Sequence, residues 1–297
     1  MDERYILTGD RDFDAVIFGI RELDMRYASD LESRQAQIHE LVTSISHTKQ
    51  DSTAVLEALK SLRSRQHNAV SVFERICICR EYLSIYPSAL EFSKAVFFGS
   101  ADSLSEAAKN KVAFIENSHT NEALLRFTSR MASPITVPLE SFDELCESVY
   151  SGEAEFGILP IESTDNGKLL YFYSLINKYE LKISAVCSVD TSDLGSTTFA
   201  LVRKSIEYPQ LRFGKPDMLE LFVTPRENDS FSDILTAAEL CSLRLYRVDS
   251  LPLSYRSESF ITCPVFRAEK AEIDVFLLYM ALDFPQYTPI GIYSYLK

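Results

Sequence analysis

The sequence predicts a multidomain protein of α and α/β type, on three observations. No glycine or proline occurs between Gly19 and Pro87, and so long a span without either breaker is a strong helical signal. From Val112 the hydrophobic period changes, and short apolar strands alternate with amphipathic helices, as in a mostly parallel sheet covered on its faces. Beyond Gly214 the order becomes strand, helix, strand, strand, helix, strand, the βαββαβ pattern of a ferredoxin-like sandwich.

In the N-terminal part, Ile20, Leu23, Tyr27, Leu31, Arg34, Ile38, Leu41 and Ile45 recur at spacings of three and four. They form one apolar stripe with a single charged member, Arg34. Asp51, Ser52 and Thr53 offer an N-cap for a second helix carrying Val55, Leu56, Leu59 and Leu62. A third helix is expected from about residue 66 to 86, with Phe73, Ile76 and Leu83 inward. One long and two shorter helices enclose little core alone, so a homodimer is expected. The Arg34 guanidinium either reaches past its packed stem for water or clamps a carboxylate bidentately.

The middle part reads as strands at 112–115, 135–137, 156–161 and 181–189, with helices at 120–131, 141–150 and 168–179. Its most informative stretch is Gly152-Glu-Ala-Glu-Phe-Gly-Ile-Leu-Pro-Ile-Glu-Ser-Thr-Asp-Asn-Gly167, a buried strand followed by a polar turn from Glu162 to Gly167. Ligands bind at the carboxyl edge of an open α/β sheet, which makes Glu162, Ser163, Thr164 and Asn166 site candidates. The C-terminal part reads as strands at 219–223, 244–250, 259–266 and 290–293, with helices at 231–241 and 271–281.

Across 297 residues the net charge is -13, which argues against a nucleic-acid or acidic-membrane partner, since nothing would offset phosphate repulsion. The N-terminus lacks a basic region followed by an apolar core, and no apolar run is long enough to span a bilayer, so a cytoplasmic location is expected. Six scattered cysteines without CxxC spacing read as buried and reduced, and four histidines form no ligand pair. No metal and no cofactor is expected.

The run Ile20-Arg-Glu-Leu-Asp24-Met-Arg-Tyr-Ala-Ser-Asp-Leu31-Glu-Ser-Arg34-Gln-Ala-Gln-Ile38 resembles the first helix of the all-helical chorismate mutases. Arg34 falls on their active-site arginine, and Lys49 stands in for a family lysine. Three further family positions fall near Ile17, Ser52 and Ser84 and do not match. The middle part is similar to prephenate dehydratase: Phe142 to Ser163 follows that family's helix, Gly-Glu-Ala turn, strand and Pro-Ile-Glu-Asn-Ser signature, with Ser163 for asparagine and Gly167 in place. The family's glycine-rich turn appears as Glu116-Asn-Ser-His-Thr120-Asn, and a glutamate there would repel an anion. Its catalytic Thr-Arg-Phe corresponds to Thr197-Thr198-Phe199. Only Asp190 to Ser196 stand where the family inserts a second lobe, leaving a single lobe and an open half-cleft. The C-terminal part resembles the ACT regulatory domain, with Asp249-Ser250-Leu251-Pro252 for Glu-Ser-Arg-Pro. The phenylalanine-contacting Gly-Ala-Leu-Val falls near Asp229 to Ser232 and is not preserved.

The shared order resembles the bifunctional chorismate mutase-prephenate dehydratases. It implies domains at 1–100 (helical, mutase-like), 101–208 (dehydratase-like α/β lobe) and 209–297 (ACT-like). By resemblance the catalytic set is Thr197, Glu162 and Ser163, the substrate-binding set Arg34, Lys49, Thr120 and Asn166, and the effector set Asp249 and Ser250. The ligand would be a small aromatic-pathway acid: chorismate, prephenate or phenylalanine. With key residues replaced in all three parts, the expectation is a protein with lost or altered catalysis and a binding or regulatory role. The alternatives are an active prephenate dehydratase or chorismate mutase in phenylalanine biosynthesis, and a different acid-binding transferase or lyase.

Overall fold

The computed structural model describes residues 11–48, 71–86, 106–191, 195–208, 211–222, 231–252, 260–285 and 287–296. Its contacts divide the chain into two units, Met1–Tyr86 and Pro87–Lys297.

The first unit contains α1 (Arg11–Thr48) and α2 (Val72–Ile85). Helix α2 opens on a capping box: the Ser71 hydroxyl accepts from the Glu74 N–H at 3.3 Å, and the Glu74 carboxylate accepts from the Ser71 N–H at 2.8 Å. It buries Ile76, Cys77, Cys79 and Tyr82, whereas Phe73 and Leu83, expected inward, are only partly covered. On α1 the stripe is likewise not a buried seam among the described residues, since Leu23 is 65% exposed and Leu41 40%, while Val42 is fully buried. The expected second helix and Lys49 lie outside the described residues.

The second unit carries a ten-stranded sheet. In chain order it comprises β1 (Lys111–Ile115), α3 (Ser118–Thr128), β2 (Ile135–Leu139), α4 (Phe142–Tyr150), β3 (Phe156–Ser163), β4 (Gly167–Lys168), α5 (Leu170–Lys178), β5 (Lys182–Thr191) and β6 (Gly195–Arg203). There follow β7 (Met218–Phe222), α6 (Phe231–Leu240), β8 (Arg244–Pro252), β9 (Phe260–Arg267), α7 (Ile273–Asp283) and β10 (Thr288–Leu296). The spatial order is β2-β1-β3-β6-β5-β10-β7-β9-β8, with β4 paired to β3.

The expected mostly parallel sheet is instead mixed. Strands β2, β1 and β3 are parallel, but β6 lies antiparallel between β3 and β5. The cause is connection length: a parallel crossover needs a dozen or more residues, and β6 begins four residues after β5 ends. Alternation along the strands divides the core into two faces. Val112, Phe156, Ile158 and Leu201 pack with Ala123 and Phe127 of α3. Leu159, Ile161, Ala200 and Val202 pack with Leu145 and Val149 of α4 and Tyr173 and Ile176 of α5.

Strand β10 enters this sheet beside β5, parallel to it, and β7 pairs with its other edge. The last four strands therefore run β10-β7-β9-β8, with antiparallel pairing throughout. The boundary expected between residues 208 and 209 is not a break in the sheet. In a flat sheet, six strand steps at about 4.8 Å would separate β3 from β8 by roughly 29 Å. Side chains from these two strands nevertheless touch, so the sheet rolls over α5 and brings its C-terminal strands back toward β3 and β4.

Candidate functional site

Strand β3 runs two residues further than expected, through Glu162 and Ser163, and then returns at Gly167 and Lys168 as β4. The turn between them is tied to itself and to β6. Asn166 donates to the Ser163 hydroxyl from both its backbone N–H and its side-chain amide at 3.2 Å. The Thr164 hydroxyl donates to the Ser196 carbonyl at 2.9 Å and accepts from the Ser196 N–H at 2.7 Å.

Register then separates residues that the sequence groups together. Ser163 stands opposite Thr197, and Glu162 opposite Thr198. Successive residues of a strand point to opposite faces, so Ser163 and Thr197 share one face while Glu162 shares the other with Thr198. On that second face the Thr198 hydroxyl is 2.9 Å from the Ser188 hydroxyl, which also bonds the Tyr295 hydroxyl.

Glu162 is met by Arg247 of β8. The guanidinium grips the carboxylate with both terminal nitrogens, Nη1 to Oε1 at 2.6 Å and Nη2 to Oε2 at 2.7 Å. Its Nε lies 3.0 Å from Asp249 Oδ2, and Lys168 Nζ is 3.6 Å from the same oxygen. Lys168 also pairs with Glu220 of β7, both almost fully buried. Tyr173 and Tyr293 donate to the two oxygens of Glu220 at 3.1 and 2.9 Å. Three carboxylates thus share two cations and two phenols. Burial pushes both phenols well above their ordinary range, so they remain protonated donors.

This arrangement fixes what Glu162 can do. Hydrogen bonds from Arg247 hold its carboxyl below the ordinary range despite partial burial, so it is ionised with both oxygens engaged and is a poor proton donor. Because the folded value is lowered, the pair's stabilisation is complete above the ordinary carboxylate value and is lost as pH falls through the lowered one. Arg247→Ala is expected to lower the neutral-pH melting temperature and to flatten its decline below about pH 5. An acid limb identical to that of the unaltered protein would count against the pair.

The other expected site residues lie elsewhere or serve local structure. Thr120 is in the first turn of α3, 2% exposed as a residue and with its N–H capped by Asn117 at 2.9 Å. Asn117 thereby occupies the helix end where a glycine-rich turn would admit an anion. Arg34 is 61% exposed and 3.8 Å from Glu74, so its guanidinium faces water and the α2 cap. Asp249 joins the Glu162 cluster through Arg247, whereas Ser250 is exposed opposite Thr262.

Lys168, Glu220, Arg247, Tyr173 and Tyr293 were not among the expected site residues. Glu220 had a legible signal: an acid inside the apolar strand Met-Leu-Glu-Leu-Phe must be paired if that strand is buried. All six cysteines are buried and none forms a disulfide among the described residues, with burial pushing Cys146, Cys187 and Cys263 up to about 12. Among the described residues no group of His, Cys, Asp and Glu could hold a metal ion, and no helix is long and apolar enough to cross a membrane.

Residues 112–192 match the family model for prephenate dehydratase, so this segment is prephenate dehydratase-like. Among solved structures, the chain is similar to prephenate dehydratase from Streptococcus mutans, with a TM-score of 0.51 and 18% identity over 63% of this chain and 99% of that one. That likeness shows a shared fold. Other solved structures are similar at a TM-score of 0.46, two of them as follows. One is GqqA, described as a novel type of quorum-quenching acylase (18% identity, 62% of this chain, 95% of that one). The other is prephenate dehydratase from Arthrobacter aurescens in complex with L-Phe (14% identity, 62% and 90%). No curated protein sequence matches the chain.

Proposed function

We propose that this chain is a shikimate-pathway-related protein, resembling chorismate mutase-prephenate dehydratase, whose catalysis is lost or altered and whose role is binding or regulation. It has a mutase-like part at 1–100, a dehydratase-like lobe at 101–208 and an ACT-like part at 209–297, works as a cytoplasmic homodimer, and takes a small aromatic-pathway acid such as chorismate, prephenate or phenylalanine. The observation that carries the reading is the clamp on Glu162. The acid of the dehydratase-like signature is held ionised by Arg247, and Thr197, by resemblance the proton donor, shares its face with Ser163 and not with Glu162. Dehydration with decarboxylation needs an acid held against the leaving hydroxyl in an enclosed site, and this pairing withdraws Glu162 from such a task.

A second reading, an active prephenate dehydratase, draws support from the family match over residues 112–192 and from the Ser163–Thr197 pair, whose two hydroxyl-bearing residues face each other across β3 and β6. Incubating the purified protein with chorismate and with prephenate separates the two. The expected result is no loss of either substrate and no phenylpyruvate, with melting temperature raised by at least one of chorismate, prephenate and phenylalanine. Turnover that disappears in Arg34→Ala or Thr197→Ala would overturn the first reading in favour of catalysis. A melting temperature unmoved by all three would remove the small-acid ligand.

A further inference from the structure

A cleft of about 670 Å³ lies at the start of β8 and the end of β9, with Leu243 lining it among charged residues. Two of these, Arg244 and Arg267, stand directly opposite each other across the antiparallel β8–β9 ladder. Cross-strand partners bring their Cβ atoms within about 5 Å, and like charges so placed repel. Lys270 adds a third cation, against Glu239 and Glu269 on the same walls.

Among the described residues, no acid lies within ion-pair reach of Arg244, Arg267 or Lys270. That sets the pair apart, in a chain with 43 acidic and 30 basic residues. Arg26, Arg34, Arg126, Arg203, Arg212 and Arg247 each meet a carboxylate, and Arg130 meets the Phe213 carbonyl. The contact that Arg267 does make is with an aromatic ring: its guanidinium lies 4.9 Å from the ring centre of Tyr246, which is itself 51% exposed. Two arginines thus stand opposite each other at the wall of a cleft, in a chain with acids in excess and with none of them within ion-pair reach, and such a pair is suited to an anion.

We propose that this cleft binds a small anion with two or more acidic oxygens, a phosphate monoester or a dicarboxylate, bridged between Arg244 and Arg267 with Lys270 at the rim. An anion placed there relieves the repulsion between the arginines and takes up their planar donor forks. The site is independent of the Glu162 cluster, and its test does not depend on the proposed function.

The experiment titrates inorganic phosphate and, separately, malonate into the full chain at constant ionic strength set with chloride, by calorimetry and thermal melting. The Arg244→Gln/Arg267→Gln double variant is treated alike. The expected result is a rise in melting temperature with at least one probe, and affinity lower by about tenfold or more in the double variant. In chloride alone the variant should melt no lower than the unaltered protein, because a like-charge pair has been removed. A response to phosphate alone assigns a phosphoryl ligand, and a response to malonate alone a dicarboxylate. Equal responses in both proteins, or none to either probe, would overturn the site.

Discussion

Glu220→Leu is expected to destabilise the fold by about 3–5 kcal/mol, the cost of removing one partner of a buried ion pair. The carboxylate is 1% exposed, and three groups converge on it: Lys168 and the Tyr173 and Tyr293 hydroxyls. Leucine would leave the Lys168 ammonium, only 3% exposed, with Asp249 at 3.6 Å and the Tyr173 hydroxyl, and would orphan both phenol donors. The double variant Lys168→Met/Glu220→Leu should recover a substantial part of the loss, because the stranded charge is then gone. With no tryptophan in the chain, urea denaturation followed by far-UV circular dichroism is the suitable measurement. A single-variant cost under about 1 kcal/mol would show that water reaches the pair.

Gly291→Ala is expected to cost about 3 kcal/mol, the upper end of the usual range for overpacking a buried site. A Cβ at this position would lie 2.5 Å from the Ile183 carbonyl oxygen and 2.8 Å from the Ile183 Cβ. The nearest obstacle is backbone, so it cannot rotate away as the Leu145 side chain could beside Gly157. Gly291 also lies at register shifts toward both β5 and β7, in the strand that joins the C-terminal four strands to the rest of the sheet. Loss of cooperative unfolding with little change in helical signal would indicate that this join has opened. A variant as stable as the unaltered protein would mean that the close approach of β10 to β5 is absent in solution.

Both predictions bear on the same feature. Strand β10 connects β5 to β7, and the rolled sheet then carries Arg247 and Asp249 back to Glu162 and Lys168. If β10 shifts, the clamp on Glu162 should loosen with it, so Gly291→Ala should also flatten the acid limb that Arg247→Ala flattens.

Much of the local structure is legible in the sequence. The short apolar segments at 112–115, 156–161 and 181–189 marked β1, β3 and β5, and the helix expected at 141–150 is α4. The stretch from Phe142 to Ser163 carried the dehydratase-like signature, and the family match spans it. These features are local: period, cap and turn chemistry are written within a dozen residues of one another.

The partners of the candidate site were not legible, for a physical reason. Arg247 is 85 residues from Glu162, and the two meet only because of strand order and the roll of the sheet. Whether Thr197 or Thr198 shares a face with Glu162 turns on a single step of register, which inverts every side chain of a strand. The sequence by itself determined most of the strands and helices, though not β4 or β6, and where the dehydratase-like motif lies. Only the tertiary structure decided that Glu162 is held by Arg247, that Asp249 belongs to the same cluster, and that Arg244 and Arg267 stand opposite each other without an acid, since pairing across strands follows register and topology rather than local composition.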